Sequence, residues 1–165
     1  MSLSTSDLMS LDKGEELLDA MKERAPNRGH IMACISDNYP IDQQDQDGCN
    51  VLSVAASRGF AQETDALLKR NAWVEHADKN GCTPLIRAAM LGHLDVLKVL
   101  VAAKANLHAV DKQNRTAAYC AMKNGFTDVT VFLIESGAAP PPADLSVELK
   151  APVAIRRPLQ LQRKP

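Results

Sequence analysis

The residues able to do chemistry are few. There are four cysteines, Cys34, Cys49, Cys82 and Cys120, and four histidines, of which His76, His93 and His108 lie in or near turns. A zinc centre would call for paired ligands such as Cys-x-x-Cys, and no two cysteines stand so. Nucleophilic catalysis would need a nucleophile beside a base, and no Ser–His–Asp or Cys–His arrangement can be built. Cys49 and Cys82 lie 33 residues apart, a spacing that recurs throughout the chain. If successive segments stack as helical layers, equivalent atoms sit about 8–10 Å apart. A disulfide needs Cα atoms within about 7 Å. Cys49 and Cys82 are therefore expected to be free thiols, as suits a reducing, cytoplasmic setting. The one catalytic reading left is a small enzyme or thiol sensor using Cys82 or Cys49. No metal and no cofactor is expected.

The elements that must position these residues are set by the same period. Asp45, Asp78 and Asp111 are in step; so are Gly48, Gly81 and Asn114, then Asn50, Thr83 and Thr116. Small pairs follow at Ala55–Ala56, Ala88–Ala89 and Ala121–Met122, then Gly59, Gly92 and Gly125, then Leu67, Leu100 and Leu133, and lastly Ala72, Ala105 and Ala138. Each matched residue has a local task. Asn50, Thr83 and Thr116 can cap a helix, and Pro84 sits where a missing N–H costs nothing. Paired alanines let a neighbouring helix approach. Gly92 can close the first helix at positive φ. Leu94, Val96, Leu97, Leu100 and Val101 make one apolar face of a second helix. A unit of this size exposes apolar surface on both sides, and only stacking covers it.

The unit "DKNGCTPLIRAAMLGHLDVLKVLVAAKAN" and its weaker copies resemble ankyrin repeats, over residues 45–139. The resemblance implies an all-α solenoid of helix-turn-helix units with short β-turn fingers, in three units (45–77, 78–110 and 111–139). His93 then stands in the family's "GH" position and is structural. Two departures matter. The family's His after "TPL" is Ser53, Ile86 and Tyr119 here, which puts the side-chain ties between neighbouring turns in question. The glycine that ends the second helix is Asn71, Lys104 and Gly137, and Lys104 should be strained there. Residues 1–44 are expected to form a helical cap, from "LDKGEELLDAMKER" and "GHIMACISDN", off register by about three residues.

The resemblance further implies a non-catalytic protein-binding module, an adaptor, inhibitor or scaffold, using the concave face of finger tips and inner-helix ends. The matched positions are Gln46, Asp47, Cys49, Ser57 and Arg58; Lys79, Asn80, Cys82, Met90 and Leu91; and Lys112, Gln113, Arg115, Lys123 and Asn124. Met90 and Leu91 are expected to be exposed beside Cys82, ringed by Lys79, Lys112, Arg115 and Lys123, which suits a protein partner with an acidic rim. Trp73, the sole tryptophan, is either an anchor for a partner or a cover for its loop.

Charge and composition narrow the classes. Of 165 residues 45% are hydrophobic but only 4% aromatic, which suits close packing of short helices. Residues 1–44 hold 8 acids and 4 bases, 45–139 ten of each, and 140–165 two acids and five bases. A nucleic-acid module should carry its basic stripe on the folded part, so none is expected. No apolar run reaches membrane-spanning length, and the acidic start lacks the form of a secretory signal. A monomer is expected. The Pro-rich linker and basic tail, 140–165, alternate apolar residues at Leu145, Val147, Leu149, Ala151, Val153 and Ile155, the pattern of an extended segment with one oily face. Such a tail is a disordered basic segment, folds back over the last unit or docks on another chain. In the last case the chain is a bacterial host-directed effector or regulatory subunit that binds mainly through its tail.

Overall fold

The computed structural model of the chain describes residues 5–23, 26–37 and 39–141. The tail from residue 142 onward, with the expectations placed on it, lies outside them. Eight helices follow in order among the described residues: α1 (Thr5–Lys22), α2 (Arg28–Ser36), α3 (Val51–Arg58), α4 (Ala61–Lys69), α5 (Pro84–Leu91), α6 (Leu94–Ala102), α7 (Ala117–Lys123) and α8 (Thr127–Glu135). Extended pairing is confined to isolated bridges, Gln44 with Asn50 and Val110 with Thr116. The helices pack as antiparallel pairs, α1 with α2 through α7 with α8. They form two rows, α1–α3–α5–α7 and α2–α4–α6–α8. This is an all-α repeat solenoid.

The expected caps form. Asn50, Thr83 and Thr116 accept hydrogen bonds from the amides of Ser53, Ile86 and Tyr119 at 2.9, 3.4 and 3.2 Å. Gly59 and Gly92 end α3 and α5 in the left-handed region, at φ 74° and 77°. Asn71, Lys104 and Gly137, the residues standing where the second helices end, have φ of 62°, 65° and 106°. Lys104 is thus held in a conformation that disfavours a Cβ.

One expectation about register is corrected. The second helices begin at Arg28, Ala61, Leu94 and Thr127, all in step at 33 residues. The first pair is therefore in register through α2. Its departure lies in α1, which is 18 residues long where α3 and α5 have 8.

Packing follows the period. Cys34, Leu67, Leu100 and Leu133 hold one position in four successive outer helices, and all are buried. Ala55, Ala56, Ala88, Ala89, Ala118 and Ala121 are fully buried on the inner row, where small side chains let backbones approach. Each of the two core clusters draws on consecutive units: one joins α1–α4 and the other runs from Ala56 to Ala138.

Candidate functional site

The finger before each inner helix is built around its aspartate. Asp45 Oδ1 accepts from the amides of Asp47 (2.9 Å) and Cys49 (2.8 Å). Asp78 does the same for Asn80 (2.6 Å) and Cys82 (3.0 Å), and Asp111 for Gln113 (2.8 Å) and Arg115 (3.0 Å). Backbone bonds close each turn: the amides of Gly48, Gly81 and Asn114 donate to the aspartate carbonyls, all at 2.9 Å. Asn114 takes φ 59° where the other fingers have glycine.

The other carboxylate oxygen finds a cation, from a different place in each unit. Asp45 pairs with Lys22 of α1, Asp78 with Arg87 one turn into α5, and Asp111 with Arg115 in its own finger. Burial pushes the Asp111 carboxyl up, but bonds from the Arg115 side chain and from the Arg115 and Gln113 amides outweigh it and hold the group below its usual range. Asp45 is likewise pushed up by burial and brought down further by Lys22 and by the Cys49 and Asp47 amides.

Neighbouring fingers are joined by backbone. The Lys79 amide donates to the Asp47 carbonyl (3.0 Å), and the Lys112 amide to that of Asn80 (2.9 Å). The buried His76 adds a third tie: its Nε2 lies 2.7 Å from the Gly48 carbonyl, which can only accept, so Nε2 carries the proton. Thus the turns are tied without the family's histidine. Between helix pairs, His93 Nε2 donates to the Ser57 carbonyl (3.0 Å), and Asn124 Nδ2 to the carbonyl of Met90 (2.7 Å), the equivalent position one unit on. His93 is structural, as expected, and His108 is exposed.

The candidate residues divide into three groups. Gln46, Asp47, Lys79, Asn80, Leu91, Lys112, Gln113, Lys123 and Asn124 are exposed. Ser57, Arg58, Met90 and Arg115 are half-buried. Of these, Ser57 Oγ donates to the Val54 carbonyl, while Arg58 reaches the Lys22 and Glu23 carbonyls and so ties α3 to the end of α1. Met90 packs on the core, so of the expected apolar pair only Leu91, 50% exposed, stands free. Cys49 and Cys82 are corrected outright. Both are buried, because the curl of the finger around its aspartate turns them inward. Burial pushes both thiols up to about 11, the reverse of what a reactive thiol needs. Cys49 and Cys82 are free thiols, as expected, and so are Cys34 and Cys120.

The face formed by fingers and inner helices is divided by charge. At one end, Glu15, Asp19, Asp45 and Asp47 line a cleft between α1 and the first finger, with Lys22 among them. On the second and third units, Lys79, Lys112 and Lys123 are exposed and make no ion pair among the described residues. The acidic end was missed because α1 departs from the period, so no matched position pointed to Glu15 or Asp19. Trp73 is 63% exposed, with its ring centroid 5.7 Å from that of His76 in a T-shaped contact. Among the described residues no cluster of His, Cys, Asp and Glu has the form of a metal site, and no helix is long and apolar enough to cross a membrane.

A family model described as ankyrin repeats (3 copies) matches residues 17–111 and 74–144. Comparison with curated proteins finds no match.

Proposed function

The chain belongs to the ankyrin-repeat family, whose repeats mediate protein–protein interaction, and from that premise we propose that it is a non-catalytic binding module. It holds a protein partner on the face formed by its finger tips and the ends of its inner helices. One observation carries this reading: on that face Lys79, Lys112, Lys123 and Leu91 are exposed, while Met90, Cys49 and Cys82 are packed inward. Three lysines that make no ion pair among the described residues, on the same face as an aliphatic side chain, suit a partner that offers acidic groups beside an apolar contact. Such a contact is where binding energy concentrates, and the charges steer approach. The acidic cleft at the α1 end orients the partner, since its basic part belongs there and its acidic part over the second and third fingers. Buried thiols of raised pKa leave the thiol-sensor alternative without a reactive group.

The test is quantitative affinity capture with the full chain. Leu91→Asp and the Lys79→Glu/Lys112→Glu pair should each lose a partner that Lys98→Glu, on the opposite row of helices, retains. Loss in Lys98→Glu with retention in the finger variants would reject the assignment of the face.

A further inference from the structure

Trp73 is out of character for its place. Its equivalent one unit on is Asn106, which fastens its own turn with two bonds. The Asn106 side chain accepts from the His108 amide at 3.0 Å, and the Ala109 amide donates to the Asn106 carbonyl at 3.3 Å. The turn at Trp73 has the second of these, from the His76 amide to the Trp73 carbonyl, also at 3.3 Å. It lacks the first, because an indole has no oxygen to accept with. Burial does not compensate, since Trp73 is 63% exposed, more than any other large apolar residue described. A residue that gives up a turn bond and stays in water breaks a local rule without a gain for the fold, which is the mark of a functional position.

The ring is held in place all the same. It makes a T-shaped contact with His76, which is buried and donates to the Gly48 carbonyl of the first finger at 2.7 Å. Val74 packs on the core, and Glu75 Oε1 accepts from the Asn106 amide at 2.7 Å. An exposed aromatic side chain on a fixed mount has little freedom left to lose on binding.

Its setting is acidic. The loops 40–44 and 73–77 carry Asp42 and Glu75 in step at 33 residues, and no lysine or arginine. Neither acid makes an ion pair among the described residues. The two bases just before Trp73 are engaged elsewhere: Lys69 pairs with Asp65, and Arg70 donates to the carbonyls of Ile35 and Tyr39. Glu75 meets Asn106 from 31 residues away, and Asp42 stands at the same remove before Trp73. An open cleft of about 450 Å³, lined by Pro40, Ile41, Asp42, Gln43 and Gln44, lies at that earlier loop.

We propose that Trp73, flanked by Asp42 and Glu75, takes an arginine side chain from the basic part of the partner. The proposal rests on the binding-module reading and gives the chemistry of recognition at its acidic end. A planar guanidinium stacks on a single aromatic face, and the two carboxylates balance its charge.

A short peptide of alternating arginine and glycine, titrated into the full chain, tests this. Trp73 is the sole tryptophan, so its emission reports on the ring directly. The emission should change saturably with the arginine peptide, at higher concentrations with a lysine–glycine peptide, and not with a glutamate–glycine peptide. Trp73→Asn, followed by calorimetry, should weaken arginine-peptide binding about two- to fivefold, the factor carried by an exposed cation–π contact. Its Tm should equal or exceed that of wild type, because asparagine supplies the turn bond seen at Asn106. Asp42→Asn/Glu75→Gln keeps the reporter and should weaken binding by a similar factor, about two- to fivefold. Glu135→Gln, which removes an exposed acid from α8, should bind as wild type does. Silent emission, equal affinity for the lysine or glutamate peptide, or unchanged affinity in Trp73→Asn overturns the proposal. Wild-type emission that shifts on dilution would give the ring to a second copy and overturn it equally. The lysine-bearing fingers are tested separately by capture with Lys79→Glu/Lys112→Glu, so a failure at Trp73 is distinguishable from a failure of the binding face.

Discussion

Glu63 is the most exacting electrostatic test of the fold. It occupies the position of Val96 and Val129 in the later units and is 1% exposed. Arg28, the first residue of α2, donates to both its oxygens at 2.7 Å, from Nε to Oε1 and from a terminal nitrogen to Oε2. Arg28 also lies over the Phe60 ring at 5.3 Å. Arg28→Ala strands a buried carboxylate, a change that costs about 3–5 kcal/mol when both partners are buried. The Arg28 side chain is half exposed, so solvent shares the load and about 2–3 kcal/mol is expected. Arg28→Ala/Glu63→Val restores the residue used by the other units and should return stability to within about 1 kcal/mol of wild type. Urea unfolding at pH 7 measures both.

The pH dependence supplies a second arm. Burial pushes the Glu63 carboxyl up, but Arg28 and a backbone bond outweigh it and hold the group below its usual range. In wild type its contribution is therefore full above the unfolded value, about 4.3, and is lost as pH falls through the lower folded value. Without Arg28, burial dominates and the folded carboxyl rises instead, so the deficit of the single variant should shrink as pH falls toward about 4. A double variant as unstable as the single one, or a single variant equal to wild type, refutes the reasoning.

Four further outcomes are expected. Lys104→Gly relieves a left-handed lysine and should stabilise by about 0.5–1 kcal/mol after the extra unfolded-state freedom of glycine is subtracted, read as a rise in Tm. Gly92→Ala should destabilise by at least about 1 kcal/mol, because φ is 77° and a Cβ would lie 2.5 Å from the Phe126 ring; Phe126→Ala should recover part of the loss in denaturant unfolding. Asp45 and Asp111, both held below their usual range, add stability that is full above the unfolded value near 3.9 and is lost as pH falls through the folded values, so an acid titration followed by circular dichroism should be shallower in Arg115→Gln. All four thiols should resist a mild aromatic disulfide reagent until the chain unfolds, since all are buried with raised pKa.

Much of the fold was legible because it rests on local rules. Asn50, Thr83 and Thr116 announce helix starts, Gly59 and Gly92 announce ends, and alignment alone placed Lys104 in the left-handed region. The ion pairs were not legible. Lys22, Arg87 and Arg115 serve equivalent aspartates from non-equivalent positions, and Arg28 meets Glu63 from 35 residues away. A period cannot show contacts that break it. The site was half legible. Position in the unit identified the finger tips, but it listed Cys49 and Cys82 with them because spacing does not say which way a turn aims its side chains. That direction comes from the aspartate's bonds to the second and fourth amides after it. The acidic cleft was hidden for a related reason: α1 is the helix that least resembles its counterparts.

The most direct test of the proposed function is chemical-shift mapping of the full chain with a captured partner. The largest changes should fall on Lys79, Leu91, Lys112 and Lys123, with α4 and α6 little affected. Changes centred on the outer helices, around Lys69 and Lys98, with silent fingers, would contradict it.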